Sequence, residues 1–397
     1  MRKILPYLFL IGLLTGGCEL FQDEILPEDG FTKIYNHPDE VLAFYPESVL
    51  ELDEGGYIFV SAVKDETSEI EYPSTYVVRT SASGEVEWTM AYDWLAPCAT
   101  MIQTGSGIAF VAMNQQFEAY AVSIDPASGA ETGQYALDLT MPLAAYTAEN
   151  DQLLVLGYDF VTRSSWISKF SSSFVLERST LLPINTDLEY EVQRHLNRTG
   201  QEYPFFIGEY NTNEGAGYFV NCFYNYTLRT VFLDLASLGA EGSIFAFRIE
   251  EGISSLVHKN EGIFGLTSYF EGNNYILPDT ELSLTSSQNI KDFDSEALYE
   301  LTFKAPVEAL ILNSDTTDYE LFVSQTNSNS LVIYQYAMDS DSLLSTIYKD
   351  FDETVEVKDL IQTGDGGIAI LSSIRILGKY RRPLLVKIPA ESFIPEE

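Results

Sequence analysis

The chain has 397 residues and a formal net charge of −37, because 59 aspartate and glutamate residues outnumber 22 lysine and arginine residues. This excess of negative charge repels nucleic acids and anionic lipid surfaces, which are therefore excluded as main partners. Hydrophobic residues make up 46% of the chain and aromatic residues 13%, which is enough apolar material for a folded protein.

The chain begins with the features of a secretory signal. Arg2 and Lys3 precede a short apolar run at 4–14, and small residues then lead to Cys18. The apolar run is too short to span a bilayer, and its basic start and small-residue end are typical of a cleaved export signal.

The position of the cysteine makes this signal more specific. The segment resembles the lipobox of bacterial lipoproteins, in which the signal is cut before an acylated cysteine, although Thr15 stands where leucine is usual. We therefore expect a signal peptide at 1–17 and a lipid anchor of the palmitate type on Cys18. An ordinary cleaved signal is the alternative.

An acidic tether follows at 18–30. It resembles the acidic segments that follow the acylated cysteine in surface-exported lipoproteins of the Bacteroidota. That resemblance implies a location in the outer membrane, facing the cell exterior. A solvated linker on the periplasmic face has the same charge and remains the alternative.

From residue 31 onward, short apolar or alternating runs recur between Gly, Asn, Asp and Ser clusters, which is typical of many short β-strands. One sequence motif, a strand followed by a glycine turn and a second strand, recurs at 49–62, 101–112 and 360–372. A spacing of about 50 residues per copy is typical of long β-propeller blades. The sequence therefore predicts an all-β propeller.

The predicted propeller is a single domain at 31–397. We expect seven blades of four strands, with the first blade at 49–93. Six or eight blades are alternatives, because the region of the fourth and fifth blades can be divided differently, and the segment 271–294 has no readable pattern. The last blade lacks a fourth strand after Ile388, whereas Phe31 to Asn36 form a strand without a sheet. The N-terminal strand is therefore expected to complete the last blade and close the ring.

One short helix is expected as an insertion near 186–197. Leu188, Val192 and Leu196 recur at helical spacing, and Thr186 with Glu189 forms a candidate capping box at its start.

No histidine or cysteine pattern predicts a catalytic or metal site. His37, His195 and His258 lack the close spacing of a zinc site, so surface or packing roles are expected. A disulfide between Cys98 and Cys222 is chemically allowed outside the cytoplasm, but their blades are not neighbours, which favours two buried free thiols.

Three acidic clusters, at 313–318, 339–341 and 350–352, lack the full alternation and glycine of a calcium loop. Solvated turns are the preferred interpretation, and calcium binding remains a weaker alternative. No cofactor is predicted.

The positions of the three tryptophans in the predicted strands indicate different roles. Trp88 and Trp166 occupy regular strand positions and are expected in the core. Trp94 lies where the chain crosses to the next blade, so it is the candidate exposed aromatic for binding.

The glycine-turn repeats and the lipobox together resemble the β-propeller lipoproteins of the Bacteroidota. This resemblance implies a membrane-anchored module that binds or scaffolds a protein or glycan at the cell surface; no catalytic residue carries over, because no catalytic motif matches. The alternative is a carbohydrate-active hydrolase or lyase that uses carboxylates at the propeller channel.

Overall fold

The structure is a computed structural model that describes residues 30–39, 41–65, 71–104, 107–148, 151–213, 215–293, 295–314 and 317–393. The expected signal peptide, the acylation site Cys18 and the tether up to residue 29 lie outside these residues. Within the described residues no helix is long and apolar enough to cross a membrane.

The described strands form six sheets, five of which have three to five strands, the size of propeller blades. After the N-terminal strand β1 (Phe31–Ile34) comes a seven-stranded sheet, in chain order β2 (Leu42–Glu51), β3 (Tyr57–Asp65), β4 (Ser74–Thr80), β5 (Val86–Thr104), β6 (Gly107–Met113), β7 (Glu118–Ile124) and β8 (Glu131–Thr140). The second sheet contains β9 (Pro142–Ala148), β10 (Gln152–Asp159), β11 (Ser164–Phe170) and β12 (Leu176–Pro183).

Two irregular sheets follow. The third contains β13 (Phe206–Thr212), β14 (Gly215–Tyr224), β15 (Thr227–Asp234) and β16 (Ala240–Phe245), and the fourth contains only β17 (Gly252–Asn260), β18 (Ile263–Phe270) and β19 (Asn273–Glu281). Strand β20 (Ser287–Asn289) returns to the third sheet, where it pairs in parallel with β16. A short 3₁₀ helix (Ile290–Asp292) comes next.

The last two sheets have four strands each. The fifth contains β21 (Glu308–Leu312), β22 (Tyr319–Gln325), β23 (Ser330–Ala337) and β24 (Leu343–Asp350), and the sixth contains β25 (Val355–Gln362), β26 (Ile368–Ile376), β27 (Tyr380–Ile388) and β1. A second 3₁₀ helix covers Ala390–Phe393.

The propeller architecture predicted from the sequence is confirmed, but the prediction of seven blades of four strands is wrong. Only three sheets have four strands. Strand β5 is 19 residues long and pairs with β4 along its first part and with β6 along its second, so hydrogen bonding continues past Asp93, where the first blade was expected to end. The fourth sheet lacks an outer strand because the chain after β19 crosses back to β16.

The predicted ring closure by the N-terminal strand is confirmed. β1 pairs antiparallel with β27, from Phe31 opposite Lys387 to Ile34 opposite Leu384. The inner strands also contact one another in a closed circle, in the order β2, β5, β9, β13, β17, β21, β25 and back to β2. Closure leaves no long sheet edge at the two chain ends.

The core lies between adjacent sheets. The run Tyr57 to Val63 is buried throughout, as expected for a strand covered on both faces, and its apolar side chains alternate between two packing clusters. Ile58 and Val60 pack toward Phe110, whereas Phe59 packs toward Leu371 and Leu385 of the closing sheet.

Antiparallel pairing gives the ring two distinct faces. Each sheet begins at its inner strand, so the turns after first and third strands lie on one face, and the passages from sheet to sheet lie on the other. We call the face with the passages from sheet to sheet the connection face, and the face with the turns after first and third strands the opposite face. β1 is a fourth strand, so its start at Phe31 lies on the opposite face.

One helix, α1 (Glu189–Leu196), lies in the passage from β12 to β13, within the predicted insertion. Val192 and Leu196 are buried, in agreement with the helical spacing. The predicted capping box is wrong: the helix starts after Leu188, whose side chain makes no capping hydrogen bond, and Asp187 Oδ1 accepts from the Glu189 N–H at 3.3 Å.

Candidate functional site

A cavity of about 1090 Å³ lies on the propeller axis. It is lined by inner strands around the ring and by the passage at 195–205. The beginnings of β9 and β21 line it at the connection face, and Gln152, Lys169 and Asn211 line it toward the opposite face, so the cavity extends between the two faces. Its volume is slightly above the usual range for small-molecule sites, about 300–1,000 Å³.

β-Bulges direct side chains into this cavity. The register shifts around Glu47 in β2, around Ser254 in β17 and around Lys358 in β25, and all three residues line the cavity. A bulge inserts one residue that has no partner in the neighbouring strand and so changes where its side chain points. At β25 the bulge brings Lys358 and its neighbour Asp359 to the same cavity.

The passage after α1, which we call the axial segment (197–204), crosses the cavity and is fixed at several points. Lys64 Nζ of β3 donates to the carbonyl of Asn197 at 2.9 Å, and Lys304 Nζ donates to Gln201 Oε1 at 3.0 Å. Arg198 pairs with Glu47 of β2. The axial segment is therefore anchored to elements on other sides of the ring.

These contacts belong to a chain of alternating charges. From the Arg198–Glu47 pair the chain continues to Glu202, whose Oε2 is 3.8 Å from Arg198 Nη1 and 2.7 Å from Lys358 Nζ. Lys358 Nζ is also 2.6 Å from Glu356 Oε1, and Arg381 Nη1 is 2.9 Å from Glu356 Oε2. Three cations thus alternate with three carboxylates, and their charges cancel.

The pKa values follow from burial and position in this chain. Burial raises the pKa of Glu47 to about 7, with Arg198 opposing the shift. Burial would also raise the pKa of Glu202, but Lys358 and Arg198 together hold it well below its usual range. Lys358 and Arg381 likewise lower the pKa of Glu356 against the effect of burial, so Glu202 and Glu356 are both ionised at neutral pH.

His195 at the end of α1 supports the axial segment. Burial, reinforced by Arg198, lowers its pKa to about 3, so the imidazole is neutral. Its Nδ1 accepts a hydrogen bond from the Tyr203 backbone N–H at 3.0 Å, which leaves the proton on Nε2. The predicted packing role describes this residue correctly.

Glu308, the first residue of β21, differs from the other cavity carboxylates. Within the described chain no hydrogen bond or ion pair reaches its side chain, which is half-buried because it faces the cavity. Burial raises the pKa of Glu308 to about 8; Asp359 adds to this shift and Lys358 opposes it. Its carboxyl group is therefore largely protonated at neutral pH and can both donate and accept a hydrogen bond.

Asp359 is held differently. Its Oδ2 accepts from the Val49 backbone N–H at 2.8 Å, and its Oδ1 accepts from the Leu360 N–H at 2.9 Å. The first of these bonds joins β25 to β2, the two inner strands that meet where the ring closes. Burial nevertheless raises the pKa of Asp359.

The cavity is close to electrically neutral although the protein is strongly acidic. Five lysine or arginine and six aspartate or glutamate side chains line it, and one of the six is Glu308. Aromatic side chains supply much of the remaining wall: Tyr146, Tyr203, Phe205, Phe206, Tyr210, Tyr218, Phe219 and Tyr269.

The candidate binding aromatic, Trp94, does not line this cavity. It is half-buried, its ring lies 5.0 Å from that of Tyr120, and its Nε1 donates to Glu131 Oε2 at 3.1 Å. Trp88 and Trp166, expected in the core, are also half-buried and pack against core clusters.

The two described cysteines, Cys98 and Cys222, are buried free thiols, as predicted. Burial raises the pKa of Cys222 to about 12 and also raises the pKa of Cys98. His37 packs against Phe44 and Tyr76, and His258 lines the cavity.

No group of three or more His, Cys, Asp or Glu side chains in the described ranges is arranged to hold a metal ion. Of the acidic clusters considered for calcium, the one at 313–318 includes residues 315 and 316, which lie outside those ranges.

One comparison with a solved structure supports the propeller architecture. No family model matches the chain, and no curated protein does. Among solved structures the chain is similar to the WD40 β-propeller domain of Doa1, with a TM-score of 0.50 and 8% identity over 92% of this chain and 98% of that one. Other matches are the Dos1 propeller (TM-score 0.42, 10% identity, 90% and 95% covered) and a glucose dehydrogenase (0.43, 9%, 91% and 99%).

Proposed function

We propose that this protein is a lipid-anchored binding propeller at the cell surface, which holds a protein or glycan partner at the axial cavity. The observation that carries the proposal is the cavity itself: about 1090 Å³ on the axis, lined by inner strands and by the anchored axial segment. A largely pre-formed concave site with a few convergent polar groups is the usual form of a ligand site.

The paired charges favour binding over catalysis. Arg198, Lys358 and Arg381 are already neutralised by carboxylates, so they position the axial segment and leave little free charge for chemistry.

The chain direction supports an anchored orientation. β1 starts on the opposite face, and Gly30 lies there against Lys387 and Pro389. A tether from an acylated Cys18 would therefore join the propeller at the opposite face. In this arrangement the connection face and the end of the cavity lined by the starts of β9 and β21 point away from the membrane.

Anchoring is tested with Cys18→Ala. We expect the variant to move from the membrane fraction to the soluble fraction, because acyl chains supply the membrane affinity. Cys98→Ala, which changes a buried free thiol, is the matched control and should stay in the membrane fraction. An unchanged distribution of the Cys18 variant contradicts the anchor.

Partner binding is tested by photo-crosslinking on intact cells. A photo-reactive residue replaces Phe303, which is 66% exposed on the connection face beside the cavity residue Lys304. The control position is Val175, 62% exposed in a turn of the opposite face. We expect adducts from position 303 and not from 175; adducts from 175 alone, or none from either, contradict the proposal.

A carbohydrate-active hydrolase or lyase is the second candidate, and Glu308 favours it. A carboxyl group that stays protonated at neutral pH is what a general acid requires. The effect of Glu308→Gln distinguishes the binding module from the enzyme. A binding module keeps its affinity and has no turnover to lose, whereas an enzyme loses turnover by at least about 100-fold.

A further inference from the structure

The cavity combines near-neutral charge with an unpaired carboxyl group and aromatic walls, and each feature restricts the ligand. Arg198, Lys358 and Arg381 are matched with Glu47, Glu202 and Glu356, so a charged ligand that binds any of these six groups would have to break an existing ion pair. Removing one partner of a buried pair costs about 3–5 kcal/mol, so a charged ligand is disfavoured at these six groups.

The unpaired group sets the polar chemistry. Glu308 has no side-chain partner within the described residues and faces the cavity. A protonated carboxyl group offers one donor and several acceptor sites, which suits ligand hydroxyl groups, since these also donate and accept.

The walls set the shape. Tyr203 and Phe205 of the passage after α1, Tyr210 of β13, Tyr218 of β14 and Tyr269 of β18 line the same cavity. Aromatic faces pack well against the flat C–H surfaces of sugar rings. The Tyr203 hydroxyl group already donates to Glu191 Oε2 at 3.2 Å. A ligand that is neutral, flat and rich in hydroxyl groups is better described as a saccharide than as a peptide.

We propose that the axial cavity binds a neutral oligosaccharide, with Glu308 hydrogen-bonded to its hydroxyl groups and the tyrosine-rich wall packed against its rings. This inference rests on the proposed binding function and names its ligand class.

The test is titration calorimetry on the full-length chain extracted in detergent. The neutral probes are maltotetraose, cellotetraose and mannotetraose; the charged probes of equal length are tetragalacturonate and the glucosamine tetramer. We expect at least one neutral probe to bind and neither charged probe to bind as tightly. No neutral binding at about 10 mM, or tighter binding of a charged probe, overturns the inference.

Variants of Glu308 test whether its side chain contacts the saccharide. Glu308→Gln keeps a donor and an acceptor, so its affinity should lie within about twofold of that of the wild type. Glu308→Leu should weaken binding about tenfold, which corresponds to the loss of one hydrogen-bonded group. Glu308→Ala repeats the test if the leucine variant does not fold, and Glu281→Leu, on an exposed position of β19, is the control. Equal affinity of the Leu or Ala variants and the wild type overturns the role of Glu308.

The crosslinking experiment separates the two proposals. Protein adducts at position 303 with no saccharide binding leave the binding function intact and reject the saccharide. Absence of both rejects the binding function as well.

Discussion

Replacing Glu308 with glutamine should stabilise the protein, and the gain should depend on pH. In the unfolded chain this carboxyl has a pKa of about 4.5, and in the folded protein it is about 8. Below a pH of about 4.5 the carboxyl group is protonated in both states, so it does not change the free energy of unfolding. As pH rises toward 8 the unfolded state ionises while the folded state cannot, so the wild type loses stability over this window.

The size of the effect follows from the shift. At about 1.4 kcal/mol per pKa unit, the full shift corresponds to roughly 5 kcal/mol. Because the side chain also faces cavity solvent, we discount this to about 2 kcal/mol. Glu308→Gln removes the ionisable group, so its gain over the wild type should be close to zero at acid pH and about 2 kcal/mol above pH 8.

Urea unfolding, followed by tyrosine and tryptophan fluorescence, measures the free energies of unfolding of the variant and the wild type at about pH 4 and about pH 8.5. Glu281→Gln is the control, since that side chain is exposed and should change stability little at either pH. An equal effect of Glu308→Gln at the two pH values would refute the burial argument, because it would show that the carboxyl ionises alike in both states.

Three further predictions concern the buried structure. Arg198→Met leaves Glu47 buried without its cation and should destabilise the fold by about 3 kcal/mol, and adding Glu47→Gln should recover part of this loss in a double-mutant cycle. Gly265→Ala should lower the free energy of unfolding by about 2 kcal/mol, because the new Cβ would lie 1.3 Å from Glu320 Oε1; an unchanged melting temperature contradicts this packing. The two described cysteines should resist a thiol reagent at about pH 8 until urea unfolds the chain, and rapid labelling of the native protein would argue against their burial.

The sequence was sufficient for most of the strands outside 271–294 and for the closure of the ring. Glycine turns between apolar runs indicate hairpins locally. The strand at Phe31 had no partner of its own, and the last blade lacked a fourth strand beside β27, so their pairing was predictable. The division into sheets was not predictable in this way. Continuity of β5 through two sets of neighbours and the return of β20 to β16 depend on hydrogen bonds that no local pattern records.

The candidate site was mostly missed for the same reason. Arg198 and Glu47 are separated by 151 residues in sequence, and their pairing depends on the axial segment crossing the ring. Two weak signals were present. Pro46 inside a strand indicates a bulge, and the alternation of Glu356 with Lys358 places both side chains on one face of β25.

The central claim is that the axial cavity holds a neutral oligosaccharide, and photo-labelling tests it most directly. A diazirine derivative of whichever neutral tetrasaccharide binds is irradiated with the protein, and the labelled peptides are identified by mass spectrometry. We predict labels in the passage at 195–211 and at the start of β21, competed away by the unmodified sugar. Labels confined to outer strands such as β12 and β24 would contradict the claim.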